Sequence, residues 1–182
     1  MSTIIISIIL VFLAVQIFPV ALGVDTKGKV MKIALALLVL TAIQLISFWV
    51  GLKLGNTFMY LMNGFKGVVI FIGFLLIGVR MLMEVFNIRK GERSYSIEST
   101  GHIALASLAQ GMNTFLVGLM FHYIKPDEQY IFLFFVISTL LISIIGILLK
   151  PEKITLAFAS LLYTIGGLVM LFSAVYFSFF YF

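Results

Sequence analysis

Six stretches of this chain are apolar almost without interruption: Ile4–Val24, Ile33–Leu52, Gly67–Phe86, His102–Ile124, Tyr130–Leu149 and Ile154–Tyr181. A helix that crosses a bilayer needs about 20 mostly apolar residues, and each run reaches that length. The pattern predicts an all-α integral membrane protein with six transmembrane helices. The third run is the least clean, because Arg80 and Glu84 fall in its last turns. Strands of alternating polarity, the mark of an outer-membrane barrel, are absent. The first run lacks a basic start and is too long for a signal-peptide core, so it is expected to stay in the mature chain. The connections are short, and residues 1–182 read as a single membrane domain.

Composition sharpens this picture. Of the 182 residues, 63% are apolar and 10% charged, against about 45–50% and 25% in soluble domains. That excess of apolar surface excludes a water-soluble globule. There are no cysteines and only two histidines, His102 and His122, and no nucleophile–base pair or metal-ligand cluster appears in the sequence. An enzyme and a bound cofactor are therefore not expected. The net charge of +5 comes from the connections and is no sign of nucleic-acid binding. Lys27, Lys29, Lys32, Arg89, Lys90, Arg93, Lys150 and Lys153 lie in the odd-numbered connections, whereas the even ones hold only Lys53, Lys66 and Lys125. Cytoplasmic loops carry the excess of Lys and Arg. This predicts a multi-pass protein of the inner or plasma membrane, with residues 25–32, 87–101 and 150–153 cytoplasmic and both termini outside.

The runs also repeat. Gln16-Ile-Phe18-Pro-Val20-Ala21-Leu22 in the first matches Asn113-Thr-Phe115-Leu-Val117-Gly118-Leu119 in the fourth: an amide, then Phe, Val, a small residue and Leu at identical offsets. Gln44 through Gly51 can be laid on Thr139 through Gly146, and Ile77-Gly78 on Ile165-Gly166. Each half holds three helices, an odd number, so the halves would have opposite orientations. The expectation is two inverted repeats, about 1–86 and 102–182, joined by a cytoplasmic connection at 87–101. Secondary transporters are often built this way, with the substrate site at midplane.

In lipid the informative residues are polar, because an ionised group at midplane costs about 2.5–3.5 kcal/mol on insertion scales. No carboxylate falls at a predicted midplane. Amides do: Gln16, Gln44 and Asn113, with Gln110 one turn before Asn113. Ser47 shares a stripe with Gln44, Gly51 and Gly55, and Thr139 takes the place of Gln44 in the second half. Amide oxygens can ligate a hard cation and the sulfurs of Met112 and Met120 a softer one, but the same residue types also join helices structurally. Arg80 and Glu84, four apart, are within pairing reach on one helix face, as a structural pair or at the inner mouth of a pathway. Pro19 removes a backbone donor beside Gln16 and would kink or open the first helix. Gly51-x-x-x-Gly55 suits a close helix contact.

The six-run length, the matching halves and the charged central connection resemble the manganese efflux pump family often called MntP, within the wider lysine-exporter superfamily. The likeness is strongest from Ala42 to Phe86, through Gly51, Gly55 and the ending Ile77-Gly78-Val79-Arg80-Met81-Leu82-Met83-Glu84-Val85-Phe86. It implies alternating access around a midplane site that exports manganese. Gln16, Gln44 and Asn113 would line the site, with Ser47, Gln110 and Thr139 in support. Gln16 and Asn113 would be the metal-contacting pair, and Arg80 with Glu84 would hold the cytoplasmic gate. Where the family carries Asp in helices one and four and Glu in helix two, this chain has Gln16, Asn113 and Gln44. Two other readings follow: an exporter of a neutral or zwitterionic small solute, which uncharged amides suit better, or a non-transporting membrane subunit. The expected partners are the lipid bilayer and the transported cation or solute. The oligomeric state is not legible.

Overall fold

A computed structural model describes residues 2–24, 30–89, 99–149 and 151–180. The described chain contains no β-strand. Its helices are α1 (Ser2–Val15), α2 (Phe18–Leu22), α3 (Val30–Phe58), α4 (Lys66–Arg89), α5 (Thr100–Ile124), α6 (Glu128–Leu148) and α7 (Lys153–Phe179), with a 3-10 turn at Met59–Phe65 between α3 and α4. Five helical stretches are long and apolar enough to cross a membrane: Thr3–Leu22, Val30–Arg89, Thr100–Ile124, Glu128–Leu148 and Lys153–Phe179. The second and third sequence runs thus lie in one 60-residue stretch. They are separated only by the 3-10 turn, where Met62 leaves helical geometry at φ −106° and ψ 16° and no side chain is buried. The protein is an all-α, multi-pass membrane protein. Of the expected cytoplasmic segments, residues 25–29, 90–98 and 150 lie outside the described residues.

Local chemistry sets the ends. Ser99 caps α5, its hydroxyl accepting from the His102 N–H at 3.2 Å. At the other end of α5, Lys125 stands in the left-handed region at φ 48° and returns its N–H to Phe121 O. Pro126 follows, and Asp127 caps α6 by accepting from the N–H groups of Gln129 and Tyr130. Glu152 and Thr155 form a reciprocal capping box at the start of α7. The first sequence run is broken: the helix stops at Val15, turns at Gln16-Ile17 and resumes at Phe18. Pro19, at the start of α2, cannot donate to the carbonyl four residues earlier, which accounts for the break.

The helices alternate between two ends of the bundle. One end gathers the close of α3, the 3-10 turn, the α5–α6 turn and the last residues of α7. Asn56 meets His122, the Tyr123 hydroxyl donates to Met59 O at 2.7 Å, Ser7 meets Tyr130, and Phe71 packs on Phe179. Lys32, Arg89 and Lys153 mark the other end.

Two seams of small residues bring helices into backbone contact, as expected where lipid leaves no hydrophobic drive between helices. α3 crosses α5 at Gly51 and Gly118. A Cβ at Gly51 would strike the Phe115 carbonyl, and one at Gly118 would stand 2.7 Å from Phe48 O. α4 crosses α7 at Gly78 and Gly167, each of whose Cβ positions lies about 3 Å from the other's carbonyl (2.9 and 3.1 Å). The outward faces carry Leu38, Ile46, Trp49, Leu76, Phe86, Leu133 and Phe172, all exposed, as suits contact with acyl chains.

Gly51→Val is expected to force α3 off α5 and to destabilise by about 1–3 kcal/mol or more, because a backbone carbonyl blocks the added methyls. Thermal unfolding in detergent measures this. Gly64→Val, where no atom stands within 4 Å of the new Cβ, is the control that leaves the transition unchanged.

Candidate functional site in the bundle interior

Gln16 sits at the break between α1 and α2, and Asn113 lies midway along α5. Both are buried, at 0% and 2% exposure. The Asn113 Nδ2 donates to Gln16 Oε1 at 2.8 Å. Gln16 Nε2 donates in turn to the Met81 sulfur on α4 at 3.4 Å. Asn113 Oδ1 accepts from Arg80 Nη1 at 3.1 Å, and Arg80 Nη2 donates to Ala109 O at 2.7 Å. The Tyr163 hydroxyl of α7 donates to the main-chain carbonyl of Gln16 at 2.6 Å. The break in the first helix is what allows this, since it turns Gln16's backbone as well as its side chain toward the interior. The result is a chain of polar groups from α4 through α5 to the α1–α2 break, anchored by α7.

Gln44 belongs to a second, adjoining set. Its Oε1 accepts from Thr114 Oγ1 at 2.6 Å, and its Nε2 donates to Ser107 O at 2.8 Å and to Ser107 Oγ at 3.3 Å. These bonds lie on the α3–α5 seam. Asn113 and Thr114, neighbours in sequence, connect the two sets through one turn of α5.

The remaining predicted residues divide. Gln110 and Thr139 are buried, and Gln110 Nε2 and Thr139 Oγ1 find no hydrogen-bond partner among the described residues. The hydroxyls of Thr41 and Ser143 are in the same position. Ser47 is half-buried against Gly111 at the lipid side of the α3–α5 seam, beside an apolar groove of about 380 Å³. Arg80 and Glu84 share a helix face, but their hydrogen bonds diverge: Arg80 reaches across to α5, and Glu84 Oε2 accepts from Asn87 at 3.4 Å. Of the two expected thioethers, Met112 is 61% exposed on the lipid face. One residue before Asn113, it is turned about 100° away along the helix, so it has no place in the interior. Met120 is buried against Gly73. The sulfur that meets the amides is that of Met81.

Sequence reasoning missed Ser107, Thr114, Tyr163 and Met81. Ser107, Gln110 and Thr114 recur at three and four residues on α5, the helical signature of a shared face, so that stripe was available. Tyr163 was detectable as a phenol in the middle of an apolar run. Nothing in the sequence marks Met81.

Among the described residues, no group of three or more His, Asp or Glu side chains converges as a metal cluster would. The interior network is built from amides, hydroxyls, one thioether and one guanidinium. The fold and this network define a multi-pass helical membrane protein with a polar core. The sequence profile of the Mntp family, described as "Putative manganese efflux pump", matches residues 25–177, and the chain belongs to that family. By that description the family is one of transporters, not a class of enzymes. The matched region opens after the first helix, so Gln16 lies outside it, while Gln44, Arg80, Glu84 and Asn113 lie within. No curated protein and no solved structure matches this chain.

Tyr163→Phe removes the hydroxyl from the Gln16 carbonyl while keeping the ring. Buried interhelical hydrogen bonds in membranes contribute about 0.6 kcal/mol on average and up to about 1.7. A small drop in unfolding temperature in detergent is expected. Asn113→Leu, which strips both Gln16 Oε1 and Arg80 of partners, should lower it by clearly more.

Proposed function

We propose that this protein is a secondary transporter that exports manganese by alternating access around the Gln16–Asn113 pair. In this reading six helices cross the bilayer, the α1–α2 unit counting as one. The Lys- and Arg-rich end faces the cytoplasm, and the two halves form inverted repeats.

The observation that carries the reading is the 2.8 Å bond between Asn113 and Gln16: the two residues matched by the repeat meet each other in the interior. The helix pairings support the same symmetry. Exchanging α1–α2 with α5, α3 with α6, and α4 with α7 turns the α3–α5 contact into α6 against α1 and α2. It turns α1–α7 into α5–α4 and leaves α4–α7 and α3–α6 unchanged, and all of these contacts occur. Small-residue contacts follow suit. Gly51 abuts Phe115 and Gly118, and its counterpart Gly146 abuts Phe18 and Ala21, the residues matched to them. For α4 and α7 burial favours a register one residue later than the sequence alignment, with Gly78 on Gly167. Ile70, Phe74, Ile77, Gly78, Met81, Glu84, Val85 and Ile88 then fall on Ala159, Tyr163, Gly166, Gly167, Met170, Ser173, Ala174 and Phe177, all buried.

In the transport cycle the amide oxygens of Gln16, Asn113 and Gln44 serve as ligands for the ion. Gln110 Nε2 and Thr139 Oγ1, which are not engaged elsewhere among the described residues, supply hydrogen bonds to the ion's water. Arg80 holds Asn113 until the ion arrives, and with Glu84 it guards the cytoplasmic side. A second reading, export of a neutral or zwitterionic solute, is favoured by one observation: Arg80's hydrogen bonds go to neutral oxygens, and a guanidinium there suits a carboxylate better than a metal.

Expression is expected to lower cellular manganese and protect a manganese-sensitive cell. Gln16→Leu and Asn113→Leu should each reduce efflux by about tenfold or more, the equivalent of a hydrogen bond lost at the site. Radioactive manganese efflux measures this, and flux equal to an empty vector rejects the ion assignment. Export of a metabolite that survives removal of divalent metals would establish the second reading. A leucine variant that gains stability and loses no flux would reject the site.

A further inference from the structure

Away from the interior network, at the end of the bundle that the export reading places outside, three helices contribute one polar side chain each to a common point. Asn56 lies in the last turn of α3, His122 in the last turn of α5, and Glu128 is the first residue of α6. His122 Nδ1 is 3.1 Å from Asn56 Oδ1, and Asn56 Nδ2 donates to Glu128 Oε1 at 3.3 Å. The three border a cavity of about 230 Å³, floored by Leu52, Phe121 and Ile131 and rimmed by Lys125 and Pro126.

We infer that Asn56, His122 and Glu128 form a divalent-cation site at the exit mouth. The inference rests on the export reading for its place in transport, but the binding site stands on its own geometry. The donors are an imidazole nitrogen, an amide oxygen and a carboxylate, a set suited to manganese and its neighbours among the first-row metals. Hard divalent cations hold oxygen at about 2.0–2.6 Å, so adjacent ligands of an octahedron stand about 2.8–3.7 Å apart. The 3.1 Å between His122 Nδ1 and Asn56 Oδ1 falls in that range, and the Asn56 amide nitrogen that now bonds Glu128 at 3.3 Å gives way when the ion draws the carboxylate. The cavity leaves room for the waters that complete the shell. Glu128 supplies the negative charge that the interior amides lack, so a carboxylate stands beyond the interior network on the way out.

Two consequences follow. The hydrogen bonds that the ion displaces are the ones tying the end of α3 to α5 and α6, so occupancy exchanges a helix clasp for metal bonds. Lys125 borders the same cavity, and its charge weakens the ion's hold, as a release site requires. It does so from the left-handed conformation at φ 48°, which Asn adopts more readily than Lys.

The test is a Mn²⁺ titration of the purified full-length protein in detergent, read by loss of the free-ion electron paramagnetic resonance signal. His122→Ala and Glu128→Gln should each weaken binding at least tenfold. Lys125→Asn should tighten it several-fold. All three sites are accessible at the end of the bundle, and an unchanged elution profile and unfolding temperature verify folding. Titrations of the His122→Ala and Glu128→Gln variants that overlay the wild type, whether all bind or none do, overturn the site. Efflux from cells is scored separately: loss of binding here with flux abolished only by Asn113→Leu keeps the site and the transport reading apart. A protein that binds Mn²⁺ through these residues and exports none would retain the site and fail the export reading.

Discussion

A carboxamide placed inside a bilayer has no water to fall back on, so both its donor and its acceptor must be met by the protein. Much of this architecture can be traced to that requirement at Gln16 and Asn113. One hydrogen bond joins them, and the remaining groups draw in two further helices: α4 through Met81 and Arg80, and α7 through Tyr163 at the Gln16 carbonyl. The break in the first helix belongs to the same account. Without it the Gln16 carbonyl would point along the helix axis to its own backbone, and the Tyr163 hydroxyl would need another acceptor. Pro19 makes the break inexpensive by removing a donor that a continuous helix would have used.

The second constraint is steric. Where lipid is as apolar as leucine, helices associate by close packing and by polar contacts, and the two kinds of contact are unevenly shared here. The α3–α5 seam has both: Gly51 and Gly118 at the crossing, and Gln44 bonded to Thr114 and Ser107. The seam of α6 with α1 and α2 has the small residues, Gly146 against Ala21, but Thr139, the counterpart of Gln44, leaves its hydroxyl unbonded among the described residues. In the proposed repeat one seam is therefore latched by the Gln44 amide, while among the described residues its mate has a polar contact only near its end, between Ser7 and Tyr130.

Hydrophobic run length made the helices legible, because only a helix satisfies its own backbone in lipid. It could not find their ends, which depend on caps such as Ser99 and Asp127, nor reveal that α3 and α4 are joined through a helical turn. The Gln16–Asn113 encounter was readable because the first and fourth runs match around these two amides, which singled them out as a pair. Gln44 was harder. Its midplane depth suggested a place beside the other two, but depth is one coordinate and the helical angle another. That angle aims it at Ser107 and Thr114. Met112 failed for the same reason, since composition counts a sulfur without saying which way it faces.

Charge is where this chain departs most from what a cation exporter is expected to need. Bringing a divalent ion to midplane strips hydration that neutral amides replace only in part, and the lone ionised group bonded to the pair, Arg80, has the wrong sign. The arrangement is coherent if the interior holds the ion weakly and briefly. Arg80 then acts as a resident cation on Asn113, keeping the amide oxygen engaged when no ion is there and retreating toward the aqueous end when one is. A carboxylate in that position would bind the ion far more strongly, but it would also have to be neutralised by a proton or by Arg80 on every return. An amide needs no such neutralisation, so in the proposed cycle the empty carrier would return with no charge to compensate beyond the guanidinium it already shelters.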